Sequence, residues 1–160
     1  MTITSTLNAR IVEGLYAEAL VLSDEVRSVF DLSGRIEATG SNEDALRIAL
    51  SCEALRTTTR MMHAMAWLLN HRAFFMGELS AFQLRRYGRL APDFPTADPM
   101  RMMMFDASVR ELITATEHFY ARLLRIDQQR REEYRGTGPS GLDRLRARLD
   151  SLTQSTAGAA

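Results

Sequence analysis

The sequence predicts an all-α protein: an antiparallel, up-down-up bundle of three long helices within residues 1–135. A short extra helix is predicted between the second and third helices, and a flexible C-terminal tail after the bundle. In three long stretches, apolar residues recur at alternating spacings of three and four, which indicates helices that bury one side. No stretch alternates apolar and polar residues as a half-buried strand does. With 160 residues, of which 46% are hydrophobic, the chain is long enough to form one core.

The first long helix is predicted over residues 6–32. Ser5 or Thr6 is expected to cap its start, and Gly34 is expected to end it, because glycine readily adopts the left-handed conformation found after helices. Its apolar stripe, expected to face the core, consists of Leu7, Ile11, Leu15, Ala19, Leu22, Val26 and Val29.

The second long helix, predicted over residues 42–76, is expected to be the centre of the bundle. A capping box is predicted at its start, within residues 41–44, and Gly77 is expected to end it. Further apolar residues widen its apolar face, so we expect it to need several neighbours, and a second copy of the chain could supply one as a homodimer. Its predicted stripe consists of Ile48, Cys52, Leu55, Thr59, Met62, Ala66, Leu69, Ala73 and Met76.

The third long helix is predicted over residues 99–134, with Asp98 as its cap and Pro99 at its first position. Before it, the S-x-x-Q sequence at Ser80 predicts a short helix over residues 80–87, and three prolines mark an irregular crossover. The third helix's stripe consists of Phe105, Val109, Leu112, Thr116, Phe119, Leu123 and Ile126. Residues 136–160 are expected to form a linker, a short amphipathic helix and a disordered tail.

The composition excludes several activities. The chain has no lysine, so P-loop nucleotide binding and Schiff-base chemistry are ruled out. Twenty arginines balance twenty acidic residues, which argues against a polyanion-binding protein. A single cysteine, Cys52, allows no internal disulfide and is expected to be a buried, inert side chain. With no secretory signal and no membrane span predicted, we expect a cytoplasmic protein.

Catalytic and metal-binding patterns do not emerge from the sequence. None of His63, His71 and His118 is preceded by glutamate three positions earlier, as a carboxylate-bridged di-metal bundle requires. Ser140 lies in a glycine-rich linker that lacks the full G-x-S-x-G pattern. We therefore expect no enzymatic activity, no cofactor and no metal.

The candidate partner-binding residues are methionines, arginines and tail leucines: Met100, Met103, Met104, Arg85, Arg86, Leu142, Leu145 and Leu149. The methionines either fill an irregular part of the core or form an adaptable binding surface, since the flexible thioether repacks against different partners. The arginines are interpreted as a solvated face, and nucleic-acid binding is not expected. The leucines would dock in a partner's groove or fold back on their own bundle.

Several sequence blocks resemble the RcdA family of alphaproteobacteria, named for regulation of CtrA degradation. The resemblance covers roughly residues 7–127 and rests on Glu13-Gly-Leu-Tyr-Ala-Glu-Ala-Leu, Gly34-Arg35, Leu55-Arg-Thr-Thr-Thr-Arg-Met-Met, Ala66-Trp-Leu-Leu-Asn-His-Arg-Ala and Gly77-Glu-Leu-Ser80.

This resemblance implies a dimeric three-helix bundle that acts as an adaptor without catalysis. Such an adaptor would help deliver substrates, including the cell-cycle regulator CtrA, to the ClpXP protease primed by CpdR, and the family's C-terminal tail is implicated. Two alternatives from other classes remain open. One is a DNA-associated regulator that uses the C-terminal arginines. The other is a bundle that binds a small ligand between its second and third helices near the methionines.

Overall fold

The computed structural model describes residues 7–33, 41–137 and 149, and every regular element of the long ranges is a helix. The prediction of an all-α protein is confirmed for these residues. Their helices are α1 (Ala9–Ser33), α2 (Ser41–Phe75), α3 (Ala81–Tyr87), α4 (Pro99–Met102) and α5 (Ala107–Thr137). None of the helices that the structure describes is long and apolar enough to cross a membrane.

Helix α1 begins three residues later than predicted because its cap is a different residue. The side chain of Asn8 accepts a hydrogen bond from the backbone N–H of Ile11 at 2.9 Å, which satisfies one of the free N–H groups of the first turn. The predicted caps, Ser5 and Thr6, and the predicted stop, Gly34, lie outside the described residues, as does the linker that follows. The side chains of residues 41–43, which include most of the predicted capping box of α2, are also outside them.

The predicted transition from α2 to α3 is confirmed. Gly77 has a φ of 79°, a conformation that favours glycine, and the N–H of Glu78 donates to the carbonyl of Ala73 at 2.8 Å. The hydroxyl of Ser80 then accepts from the N–H of Gln83, whose side chain accepts from the N–H of Ser80. Both halves of the capping box are therefore present.

The prediction of one helix over residues 99–134 was wrong at its start. Asp98 caps α4 as expected, since it accepts from the N–H of Met100 at 3.0 Å, but α4 ends after a single turn. The side chain of Arg110 donates to the carbonyl of Phe105 at 3.0 Å. In a continuous helix that carbonyl would instead accept the backbone N–H four residues later. Phe105, at the interruption, is buried in a second hydrophobic cluster with Val109 and Ile113.

The core of the first compact unit, Met1–Asp127, draws on α1, α2 and α5. Ion pairs join the same helices: Arg72 of α2 lies 2.7 Å from Glu13 of α1, and Arg122 of α5 pairs with Glu18 of α1. The second unit, Gln128–Ala160, begins within α5, so the boundary predicted after residue 135 falls inside it. The main hydrophobic cluster consists of Val12, Leu15, Ala19, Val26, Met61, Ala64, Trp67, Leu68, Leu90, Leu112, Phe119, Tyr120 and Leu123.

The three predicted stripes differ in how far they are buried. Every member of the stripe predicted for the third helix is buried or half-buried, and most of the α1 stripe is as well. The stripe predicted for the second helix was wrong. Its large residues on α2 and Met76 just after it are all exposed: Ile48, Leu55, Met62, Leu69 and Met76. The buried side of α2 is the opposite one, because Trp67 and Leu68 pack there with other large residues of the core. Cys52, predicted to be buried, is exposed for the same reason.

Candidate protein-binding surface

A buried arginine fixes the crossover, residues 88–98, that links α3 to α4. Arg60 of α2 is only 2% exposed, and its guanidinium donates to the hydroxyl of Thr116 at 2.9 Å and to the carbonyl of Pro95 at 3.3 Å. It also lies 3.3 Å from the carboxylate of Glu117, which accepts the backbone N–H of Ala97 at 2.7 Å. The guanidinium therefore joins α2, α5 and the crossover.

The electrostatic environment of Arg60 combines burial with two acids. Burial lowers the pKa of its guanidinium, while the charges of Glu117 and Glu53 raise that pKa. The carboxylate of Glu53 is wholly buried and pairs with Arg56 at 2.6 Å. One oxygen of this carboxylate is therefore paired with Arg56, as burial of a charge requires, while its other oxygen has no hydrogen-bond partner.

Further polar side chains hold the start of the crossover. Asp127 of α5 accepts the indole N–H of Trp67 at 3.0 Å and the backbone N–H of Leu90 at 3.4 Å. The hydroxyl of Tyr120 donates to the carbonyl of Ala91 at 2.8 Å. Because residues 90, 91, 95 and 97 each bond a side chain of α2 or α5, the crossover has a defined path along these helices.

This path ends in a methionine-rich turn, residues 98–106. Two of its side chains face inwards: Phe105 is buried, and half-buried Met102 packs in the same cluster beside Ala49 of α2. Backbone hydrogen bonds from Met104 to Arg101 and from Phe105 to Met102 keep the turn compact. The two inward-facing side chains and the two hydrogen bonds hold the backbone of the turn against the core.

The other three methionines of the methionine-rich turn face solvent. Met100 is 74% exposed, Met103 is 77% exposed and Met104 is 44% exposed. Exposure on this scale contradicts core filling for these three residues, whereas Met102 does fill part of the core. Three flexible, polarisable side chains on a backbone that is held in place form a surface that can adapt to an apolar partner.

The predicted arginine and methionine candidates do not form one site. Arg85 and Arg86 are exposed on α3, whose last residue, Tyr87, accepts from Asn70 through its carbonyl at 3.4 Å. The methionine-rich turn instead packs near Ala49. These two contacts with α2 are 21 residues apart, which is roughly 30 Å along a helix at ~1.5 Å per residue.

Of the tail candidates, Leu149 is exposed, and Leu142 and Leu145 lie outside the described residues. The structure therefore does not test the predicted docking of the tail.

The histidines have separate surroundings. The ring of His71 is buried against Trp67 at a centroid distance of 3.8 Å, and its Nδ1–H donates to the carbonyl of Trp67 at 2.7 Å. His63 is exposed and meets Phe94 edge-on at 5.6 Å, and His118 is exposed on α5. Within the described ranges, no three His, Cys, Asp or Glu residues lie close enough together to hold a metal ion.

Sequence reasoning missed the buried polar residues Glu53, Arg60 and Asp127. The available signal was their spacing. Glu53 and Arg60 lie on a helical repeat of three and four that continues through Trp67, and Asp127 follows Leu123 by one turn. A charged residue placed there needs a buried partner, and such a pair is what the structure contains.

The family of the chain follows from comparison with known proteins. No curated protein and no solved structure matches the chain. Residues 3–155, nearly the whole length, match the family described as Protein of unknown function (DUF1465). The match includes all five helices and the methionine-rich turn. The chain belongs to this family of proteins of unknown function.

Proposed function

We propose that the protein is a non-enzymatic adaptor that contacts protein partners through its methionine-rich turn. The observation that carries this proposal is the outward position of Met100, Met103 and Met104 on a turn anchored by Met102 and Phe105. An exposed apolar group on an ordered support supplies binding energy with little loss of conformational freedom. Its flexible side chains suit a site that accepts more than one partner.

The resemblance to the RcdA family supports the identity of the partners. On that basis the adaptor acts in the cytoplasm, and its partners are ClpX, CpdR and substrates such as CtrA. Its frame is an up-down-up bundle of α1, α2 and α5, in which the shared core of the three helices supports the crossover.

A co-purification experiment with matched variants tests this proposal. The full chain is immobilised and offered purified ClpX, CpdR and CtrA separately and together, and degradation of CtrA by ClpXP is followed in parallel. We expect Met103→Glu to reduce partner retention and CtrA turnover at least about tenfold, because burial of an unpaired carboxylate in an apolar contact is costly.

The matched control is Phe82→Glu on α3, which introduces the same charge at an exposed apolar residue away from the methionine-rich turn. The control is expected to bind as the unchanged chain does. Failure of the unchanged chain to retain any of these proteins or alter CtrA turnover would refute the adaptor role. Equal binding by the Met103 variant would refute the assignment of the surface.

A further inference from the structure

Solvent reaches some methionine side chains of this protein and is kept from others. Among the described residues, the exposed methionines are Met62, Met76, Met100, Met103 and Met104. Met61 lies in the core and is only 3% exposed, while Met65 and Met102 are half-buried. Oxidation of methionine takes place at the thioether sulfur, so an oxidant dissolved in water is expected to react first with the exposed residues.

Three of the exposed methionines belong to the methionine-rich turn and lie beside one another. Met103 has helical backbone angles, and its N–H donates to the carbonyl of Pro99 at 3.3 Å. Residues three and four apart on a helical turn are neighbours, which places Met103 and Met104 beside Met100. These three thioethers therefore form one patch. The other two exposed methionines are 14 residues apart, which is roughly 20 Å along a helix.

Oxidation changes a methionine of this patch from an apolar to a polar side chain. The expected oxidant is a hydroperoxide, of which hydrogen peroxide is the simplest. Its O–O bond breaks as one oxygen atom bonds to the sulfur, which loses two electrons, and the proton of that oxygen joins the leaving hydroxide to give water. The new sulfoxide oxygen is a hydrogen-bond acceptor, which water satisfies on an open surface but an apolar partner leaves unpaired.

We propose that Met100, Met103 and Met104 are sites of reversible oxidation by a hydroperoxide, which weakens partner binding at the methionine-rich turn. The inference rests on the proposed adaptor function, because it assigns the regulation of that function to a chemical change in the same surface. The anchors of the turn are covered, since Phe105 is buried and Met102 is half-buried. Oxidation of the outward side chains therefore leaves their support in place, and reduction of the sulfoxides restores the original surface.

The order in which the methionines oxidise is the first test. The full chain is treated with hydrogen peroxide, samples are quenched with catalase, and the oxygen gained by each methionine is mapped by fragmentation mass spectrometry. We expect Met100 and Met103 to oxidise at least about tenfold faster than Met61, with Met102 in between. Circular dichroism and Trp67 fluorescence should stay unchanged while the exposed sites react. Equal rates at exposed and buried residues, or loss of helix as the first sites react, would overturn the proposal.

The second test asks which methionines carry the effect on binding. A triple variant, Met100→Leu with Met103→Leu and Met104→Leu, keeps the patch apolar but leaves it no sulfur to oxidise. The matched control, Met62→Leu with Met76→Leu, removes the exposed sulfurs elsewhere. After peroxide treatment, retention of the partner in the co-purification experiment should fall at least about tenfold for the unchanged chain and for the control. The triple variant should retain the partner as before.

The triple variant also separates methionine oxidation from oxidation of the cysteine. Cys52 is an exposed thiol that peroxide also oxidises, and it is present in all three chains. An equal loss of binding in all three chains would overturn the proposal. Treatment of the oxidised, unchanged chain with methionine sulfoxide reductases should restore binding, and a permanent loss would overturn the reversible modification.

Binding before oxidation distinguishes this inference from the adaptor role. A chain that retains its partner equally before and after oxidation of the patch overturns the inference and leaves the adaptor role intact. A chain that retains no partner before oxidation refutes the adaptor role. The oxidation rates then decide by themselves whether the three methionines are the modified sites.

Discussion

Replacing Arg60 by methionine should destabilise the fold by about 3 kcal/mol. Removal of one member of a buried ion pair costs roughly 3–5 kcal/mol, because the remaining charge keeps its desolvation cost without its partner. Here the remaining carboxylate of Glu117 is 23% exposed and keeps the N–H of Ala97, so the lower end of the range applies. Methionine occupies most of the volume of the arginine stem, which limits any contribution from a cavity.

Urea unfolding at pH 7 measures this effect, with Trp67 as a single fluorescence reporter in the buried core. Arg60→Lys keeps the charge but loses the planar fork that reaches Thr116 and Pro95, so about half of the loss is expected. The matched control is Arg27→Met, which breaks an exposed pair with Asp24 and should cost less than about 1 kcal/mol.

The same substitution should also loosen the crossover. Since Arg60 and Glu117 together hold residues 95 and 97, amide exchange at Ala97 should accelerate more than global unfolding alone requires. A loss of stability below about 1 kcal/mol for Arg60→Met, or equal losses at positions 60 and 27, would refute the reasoning.

Two other substitutions probe the remaining bonds of the crossover. Asp127→Ala leaves the buried N–H donors of Trp67 and Leu90 without this acceptor and should lower the free energy of unfolding by about 3 kcal/mol. Urea unfolding followed by circular dichroism measures this loss. A loss under about 1 kcal/mol would contradict the role of this carboxylate. Burial raises the pKa of Tyr120 above its ordinary value of about 10, so the unfolded chain loses this proton first and stability should fall as pH rises above about 10. Tyr120→Phe should reduce that alkaline loss, and an identical slope of stability against pH for both proteins would show that another group is responsible.

How far the sequence predicts this fold is clearest from α5. The stripe predicted for the third helix, from Phe105 just before α5 to Ile126, was correct. The other faces of α5 carry charges such as Arg110, Glu111 and Arg125, which leaves only one side to bury. The start of α5 was not predictable in the same way. The residues from Met103 to Asp106 have no helix-breaking glycine or proline, so local sequence gives no reason to end a helix there.

The methionine-rich turn shows a related limit. Its composition predicted two alternatives, core filling and an exposed surface, and the structure assigns them to different residues of the same turn. Met102 packs inwards, while Met100 and Met103 face solvent. The helical spacing of the predicted stripe, extended back three residues from Phe105, reaches Met102 and leaves Met100 and Met103 off the stripe. Spacing therefore carried an assignment that composition alone did not.

Helix α2 shows a limit of predicting the buried face of a helix from residue spacing. A spacing of three and four identifies a helix face that needs covering, but it does not say whether the cover comes from the same chain. Helix α2 has two such faces, and the one with the more regular repeat is the exposed one, because Glu53 and Arg60 interrupt the buried one. Charges in the inner face and their absence from the outer face together form the signal that separates them. Glu53 and Arg60 lie on the side of α2 that the chain's own core covers, whereas Leu55 and Met62 face solvent, so spacing alone does not identify the buried side.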